Sequence, residues 1–218
     1  MNKQTKNQNF SVDSSNNTKY VFLFTHGAGA GMDHHFMQSI AHSLSLKNAT
    51  VVRFNFSYMS VGKKFPTSSQ KSIVDIDQVY QQVQSSYPDV PIFIGGKSYG
   101  GRMSSHWLAE HSDQHLIRGL IYLGFPLHAP GKPSIKRADH LSSIQVSQLF
   151  LQGTKDKLAD NDLIDEVISK QQNASLFRVD HADHSFKMAK KYGKSEQEVI
   201  EELAMTINKW ALSQLKST

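Results

Sequence analysis

Short apolar segments alternate with amphipathic segments along most of this 218-residue chain. The apolar segments have the length of single buried strands, whereas the amphipathic ones repeat their apolar residues every three or four positions, as on one face of a helix. This alternation predicts a mostly parallel sheet with right-handed crossovers, because each connection must return over a face of the sheet. The expected strands are 20–25, 51–58, 90–94, 118–123, 146–151 and 175–179.

The segments between these strands predict helices on both faces of the sheet. The clearest helical patterns cover 33–46, 73–87, 99–111 and 195–215, and the last begins with the capping-box pair Ser195 and Glu198. The fold class is therefore α/β, a doubly wound, mostly parallel sheet without a large cap domain, since the connections are short. We expect a flexible polar tail over residues 1–18, with one short edge strand around 10–12, and a single domain over 19–218.

Composition excludes several classes of protein. The chain has no cysteine, which rules out disulfides, cysteine-ligated zinc, iron–sulfur clusters and a cysteine nucleophile. Its formal net charge is +5, but the basic residues are scattered rather than in a dense block, so we predict no nucleic-acid binding. No apolar segment approaches the roughly 20 residues of a membrane span, and the N-terminus lacks the apolar region of a signal peptide. These features predict a cytoplasmic protein without a membrane partner.

The segment Gly95–Gly101, with the sequence GGKSYGG, joins an apolar strand to an amphipathic helix. It contains the G-x-S-x-G pattern of a nucleophile elbow, which holds a serine on a strained turn at the positive end of a helix. Gly96 and Gly100 flank Ser98 because larger side chains would collide with neighbouring elements. A P-loop is the alternative interpretation, but that pattern requires glycine where this chain has Pro91.

A second glycine-rich turn, Thr25–Gly31, follows the first strand directly. Neither register of this turn matches the dinucleotide-binding pattern G-x-G-x-x-G. Small residues beginning with Gly27 instead suit an oxyanion hole, where backbone N–H groups approach a developing negative charge. We predict the N–H groups of Ala28 and Tyr99 as the two donors.

An acid and a histidine follow the serine in the chain order typical of this architecture. Asp156 comes directly after the fifth strand, and His184 lies in the loop after the sixth. We predict Ser98, His184 and Asp156 as nucleophile, general base and orienting acid. His181 is the alternative base. The alternative acids, Asp160 and Asp162, fit better at the start of the following helix.

The histidine loop also raises the question of a metal. Its four potential ligands are close neighbours in sequence, and such neighbours rarely converge on one ion without partners elsewhere. We predict no metal and no cofactor. The four residues are Asp180, His181, Asp183 and His184, and the possible distant partners are His34 and His35.

With these motifs, the chain resembles the alpha/beta-hydrolase superfamily from Tyr20 to Leu215. It is similar in particular to the small, capless, dienelactone-hydrolase-like branch, and within that to a poorly characterised bacterial subgroup. The resemblance rests on four segments, which are HGAGAGM after the first strand, RFNFSYM in the second, GGKSYGGR at the elbow and DHSF near the C-terminus. It implies the triad and oxyanion donors named above. Dienelactone hydrolases have a cysteine nucleophile where this chain has Ser98, so the lactone substrate is not carried over.

Together these features predict a serine hydrolase that cleaves a small ester or related acyl bond through an acyl-enzyme. The alternative is a catalytically silent interaction module on a hydrolase scaffold. We expect a small-molecule acyl substrate and a monomer or homodimer.

Residues 61–69 and 125–140 are the expected pocket walls. Arg102 is interpreted as an ion-pair partner. Several lysines suggest an electropositive mouth, with solvated surface lysines as the simpler alternative, and these are Lys63, Lys64, Lys97, Lys132, Lys136, Lys155 and Lys157.

Overall fold

The computed structural model describes residues 10–216. Its seven strands are β1 (Phe10–Asp13), β2 (Tyr20–Thr25), β3 (Ala49–Phe54), β4 (Ile92–Lys97), β5 (Ile117–Leu123), β6 (Ser147–Gly153) and β7 (Ala174–Val179). Its α-helices are α1 (His35–Ser45), α2 (Ser57–Ser60), α3 (Ser69–Ser86), α4 (Tyr99–Glu110), α5 (Asn161–Ser169) and α6 (Glu196–Gln214). Two 3₁₀ helices cover Lys136–Ser143 and Lys190–Tyr192.

The strands form one sheet in the order β1-β3-β2-β4-β5-β6-β7, in which β1 alone is antiparallel to its neighbour. From β2 the chain first moves to β3 on one side and then returns to β4 on the other. The carboxyl ends of β2 and β4 therefore open a crevice at the point where the strand order reverses, which is where ligands bind in sheets of this kind.

Two apolar cores lie on opposite faces of the sheet, and β2 contributes to both. Its residues Val21 and Leu23 pack with α3, α4 and α5, whereas Phe22 and Phe24 pack with α1 and α6. This alternation follows from the two-residue period of a strand. The described chain thus forms a sheet between two helical layers and contains no cap domain, which confirms the predicted fold class.

The second predicted strand, 51–58, is wrong at its C-terminal end. β3 ends at Phe54, where its pairing with β2 also ends at Thr25. Beyond that point the backbone bonds to other elements, because the Ser57 N–H donates to a carboxylate oxygen of Asp75 at 2.8 Å. The single turn α2 follows. A one-turn helix held by a distant side chain has no local sequence pattern that would predict it.

The predictions for the two ends of the chain can be compared with the structure only in part. Of the predicted tail, residues 1–9 lie outside the described residues. Phe10–Asp13 is the expected short edge strand and pairs with β3. At the other end, the capping box of Ser195 and Glu198 is present at the start of α6. No helix within residues 10–216 is long and apolar enough to cross a membrane.

Candidate active site

Ser98 lies on a sharp turn between β4 and α4, at the crevice formed by the switch in strand order. Its backbone has φ 50° and ψ −116°, a conformation that L residues adopt only under constraint. A Cβ atom on Gly96 would lie 2.1 Å from the carbonyl oxygen of Thr25, and one on Gly100 would lie 2.5 Å from that of His26. Both positions therefore require glycine, because β2 passes too close to the turn for any side chain.

The side chains of Ser98, His184 and Asp156 form a continuous hydrogen-bonded chain. The Oγ atom of Ser98 lies 2.8 Å from Nε2 of His184, and Nδ1 of His184 lies 2.7 Å from Oδ2 of Asp156. An ionised carboxylate only accepts hydrogen bonds, so Nδ1 carries a proton. In the neutral ring Nε2 is then the acceptor for the serine hydroxyl. The structure thus brings together the three predicted residues, which lie in three separate loops.

Asp156 is held in place by two further donors. Its side chain is fully buried. Its Oδ2 accepts from Nε2 of Gln152 at 2.6 Å, and its Oδ1 accepts from the Leu158 N–H at 2.8 Å. The other end of the Gln152 amide is fixed as well, because Oε1 accepts from the Phe125 N–H at 2.9 Å. Gln152 was not among the predicted site residues, although a glutamine near the end of the apolar strand β6 was a signal.

Lys97, one of the lysines considered for an electropositive mouth, lines the cavity at Ser98 and also contacts the loop that carries His184. Its Nζ donates to the carbonyl oxygen of His184 at 2.6 Å and lies 5.5 Å from the centre of the Phe186 ring. Burial lowers the pKa of Lys97 to about 8, against the opposing charges of Asp156 and Asp183. This lysine therefore anchors the backbone of the loop that carries His184.

The glycine-rich turn after β2 is fixed by a buried histidine. Nε2 of His26 accepts from the Phe56 N–H at 3.2 Å, so the ring proton sits on Nδ1, which donates to the Gly27 carbonyl at 2.8 Å. Burial lowers the pKa of His26, which favours this neutral form. Within residues 10–216, the N–H groups of Ala28 and Tyr99 have no hydrogen-bond acceptor. Both are free to bind a ligand oxygen.

The alternative acids and base lie elsewhere. His181 has φ 63° and is exposed, and its ring stacks on Tyr192 with 3.8 Å between the ring centres. Asp160 caps α5 by accepting from the Asp162 N–H at 3.1 Å, as the helix-start interpretation predicted. In the part of the chain that the structure describes, no group of three or more histidine and acidic side chains is arranged to hold a metal ion.

A cavity of about 170 Å³ opens at Ser98 and His184. Its other walls come from the turn after β2 and the start of α1, including Ala28, Phe36 and Met37. The expected walls 61–69 and 125–140 do not line it. The first of these segments lines a separate cavity of about 750 Å³ beside α2 and α3, and it contacts the turn after β2 where the Lys64 carbonyl accepts from the Gly29 N–H.

The ion pair expected for Arg102 is also wrong. Among residues 10–216, no carboxylate oxygen lies within 4.0 Å of its guanidinium group. The Nε atom of Arg102 is buried and has no hydrogen-bond partner in the described chain. The sequence alone does not indicate that Arg102 lacks an ion pair, because a carboxylate partner would have to come from another element of the fold.

Comparison with solved structures shows the same fold in several hydrolases. Est1E from Butyrivibrio proteoclasticus, solved with ferulic acid bound, has a TM-score of 0.75 and 13% identity, with 95% of each chain covered. Dienelactone hydrolase from Anabaena variabilis has a TM-score of 0.73 and 13% identity, covering 94% of this chain and 90% of that one. A lidless serine hydrolase from Xanthomonas campestris has a TM-score of 0.67 and 20% identity, covering 92% and 88%.

The sequence itself matches a family model described as an alpha/beta hydrolase domain over residues 18–212. This span includes six of the seven strands and all three side chains of the hydrogen-bonded chain at Ser98. Because the match covers most of the sequence and agrees with the sheet order, the protein belongs to the alpha/beta hydrolase family.

Proposed function

We propose that the protein is a serine hydrolase that cleaves small carboxylic esters through an acyl-enzyme intermediate. The observation that carries this proposal is the hydrogen-bonded chain from Ser98 through His184 to Asp156, with Ser98 on a strained turn at the N-terminus of α4. A scaffold for protein binding has no need of a serine aligned on the acceptor nitrogen of a histidine whose other nitrogen is fixed by a buried carboxylate.

In the first half of the reaction, Ser98 Oγ attacks the carbonyl carbon of the ester. The hydroxyl proton passes to Nε2 of His184, and Asp156 stabilises the resulting imidazolium through its bond to Nδ1. The carbonyl π-electrons move to the oxygen, which becomes a tetrahedral oxyanion. When the oxyanion collapses, the bond to the alcohol oxygen breaks and His184 returns its proton to that oxygen.

The oxyanion would be bound by the N–H groups of Ala28 and Tyr99. Tyr99 is the first residue of α4, so its N–H has no acceptor within the helix and carries part of the positive helix dipole. His26 keeps the Ala28 turn in position by bonding its neighbour Gly27. Loss of one donor from an oxyanion hole typically lowers the rate about 10²–10³-fold.

In the second half, water takes the place of the alcohol. His184 accepts a proton from the water, and the hydroxide adds to the acyl carbon. The tetrahedral intermediate then releases Ser98, whose oxygen recovers the proton from His184. The products are the carboxylic acid and the free enzyme, and no cofactor enters the balance.

The size of the site favours short acyl groups. Its volume of about 170 Å³ is below the range of about 300–1,000 Å³ that is usual for pockets binding drug-sized ligands. Phe36 and Met37 give one wall an apolar surface. We therefore expect acetyl and butyryl esters to react faster than esters of long fatty acids.

The proposal is tested by the hydrolysis of para-nitrophenyl acetate, butyrate and decanoate with the wild type and Ser98→Ala. A matched control is Ser169→Ala, which removes an exposed serine hydroxyl at the end of α5. We expect turnover that falls with acyl length, is lost in Ser98→Ala and is kept in Ser169→Ala. A folded wild type that releases nitrophenol no faster than Ser98→Ala would contradict the proposal and favour the interaction module.

A further inference from the structure

Two arginines lie side by side next to the elbow, on α4 and on the 3₁₀ helix Lys136–Ser143. The two helices contact each other through His106 and His140, whose rings stack with 3.7 Å between their centres. Arg102 precedes His106 by one turn of α4, and Arg137 precedes His140 by one turn of the 3₁₀ helix. Each arginine is therefore on the same face of its helix as the stacked histidine.

Both arginines are held at the carboxyl edge of the sheet, where β4 and β5 end. The Arg102 N–H donates to the Ser98 carbonyl oxygen at 3.2 Å, which places Arg102 one turn into α4. Helical side chains tilt towards the N-terminus, so that of Arg102 leans towards Ser98. Nη1 of Arg137 donates to the carbonyl oxygen of Pro126, directly after the end of β5.

Nothing in the described part of the chain neutralises this pair. Among residues 10–216, no carboxylate oxygen lies within 4.0 Å of either guanidinium group. The nearby acidic residues on the same helices, Glu110 and Asp139, are exposed and form no ion pair with them. Tyr99 donates its hydroxyl proton to Ser72. Burial, together with neighbouring positive charge, lowers the pKa of His140 to about 3, so His140 is neutral near pH 7.

Two like charges in close, partly buried positions are unfavourable unless an anion joins them. Burial and the charge of Arg137 lower the pKa of Arg102, and its Nε–H has no partner in the described chain. A carboxylate or a phosphate can join two such groups, since planar guanidinium groups bind both anions through parallel hydrogen bonds.

We infer that Arg102 and Arg137 form a subsite for an anionic group of the substrate, a carboxylate or a phosphate, beside the ester bond that Ser98 attacks. The preferred substrates are then esters that carry a negative charge on the acyl or the alcohol part. This substrate class rests on the proposed esterase function, but binding of the anion does not.

The kinetic test compares matched anionic and neutral esters. For the acyl side the pair is the mono-para-nitrophenyl ester of succinic acid and para-nitrophenyl butyrate, and for the alcohol side it is meta-acetoxybenzoate and meta-acetoxybenzamide. The measured quantity is the ratio of kcat/KM for the anionic ester to that for its neutral partner. We expect this ratio to exceed one for at least one pair in the wild type.

Removal of either arginine should reduce that ratio. Because hydrogen bonds to charged groups are strong, we expect Arg102→Met and Arg137→Met each to lower it about 10- to 100-fold. Arg102→Lys should recover only part of it. Arg118→Met is the matched control, since Arg118 is half-buried at the start of β5, at the opposite end of the strand from Ser98, where it donates to the carbonyl oxygen of His115. A wild-type ratio near one for both pairs, or an equal decrease in all three methionine variants, would overturn the inference.

Direct binding separates this inference from the esterase proposal. Ser98→Ala protein is titrated with succinate, inorganic phosphate and neutral succinamide while the arginine Nε–H resonances are followed by NMR. We expect saturable shifts of Arg102 with at least one of the two anions, absent with succinamide and lost in the Ser98→Ala, Arg137→Met double variant. A response to succinate alone or to phosphate alone identifies the preferred anion. No response to either would overturn the inference even if the enzyme hydrolyses esters.

Discussion

Replacing Asp156 with asparagine changes one oxygen to an NH₂ group in a pocket where three donors converge. Oδ2 accepts from Gln152 and His184, and Oδ1 accepts from the Leu158 N–H. The Gln152 amide cannot simply rotate to offer its oxygen, because that oxygen accepts from the Phe125 N–H. In either orientation, the asparagine NH₂ group therefore faces at least one hydrogen-bond donor.

The two orientations have different costs. If the NH₂ group faces Leu158, one buried N–H loses its acceptor, which costs about 1–3 kcal/mol of the free energy of unfolding. If it faces His184, the ring must accept on Nδ1 and carry its proton on Nε2. That tautomer cannot accept the Ser98 proton, and the comparable exchange in a serine protease lowers kcat about 10⁴-fold. Either orientation leaves a buried donor without an acceptor and removes the carboxylate charge that stabilises the His184 imidazolium, so we expect both a lower free energy of unfolding and a decrease in kcat on the order of 10³–10⁴-fold.

The assay combines urea unfolding with para-nitrophenyl acetate hydrolysis. Asp160→Asn is the matched control, because it makes the same change at an exposed helix cap only four residues away, where asparagine caps about as well as aspartate. We expect this control to retain the wild-type rate. A folded Asp156→Asn enzyme within tenfold of the wild-type kcat would refute the argument that Asp156 fixes the His184 tautomer.

Three other predictions concern residues around the site. Gly96→Ala should lower the free energy of unfolding by more than about 3 kcal/mol, measured in urea, because its Cβ would meet backbone at 2.1 Å; a smaller loss would contradict the close approach of β2. The kcat of His184→Ala should fall about 10³-fold or more, whereas the kcat of His181→Ala should stay within threefold of the wild type. The reverse order would identify His181 as the base. The pKa of Lys97 is about 8 in the folded chain and 10.5 when exposed, so the unfolded chain binds more protons between these values. The free energy of unfolding of the wild type, relative to Lys97→Met, should therefore rise by about 3 kcal/mol as the pH increases from 8 to 10.5; a constant difference would show that Lys97 is not buried as a cation.

The features that sequence patterns predict here are local ones. The strand–turn–helix context of Ser98 lies within a dozen residues, so the elbow and the need for Gly96 and Gly100 are visible in the sequence. Chain order then indicates where an acid and a histidine should follow. It does not separate His184 from His181, because the choice depends on a turn with positive φ at His181 that directs its ring to Tyr192.

The remaining features depend on contacts between distant segments. Lys97 is adjacent to Ser98 in sequence, yet its partner is the carbonyl oxygen of His184, 87 residues later. Gln152 orients Asp156 only because the fold brings the Phe125 N–H to its other end. The pair of Arg102 and Arg137 exists because the 3₁₀ helix packs on α4. No periodicity or spacing within one segment contains this information.

The proposed acyl-enzyme mechanism is tested most simply by the reaction of Ser98 with a fluorophosphonate probe, followed by intact mass and peptide mapping. We expect one adduct per chain, located on Ser98, absent in Ser98→Ala and formed far more slowly in Asp156→Asn. A folded wild type that remains unlabelled, or a label on another residue, would contradict an activated Ser98 and with it the acyl-enzyme mechanism.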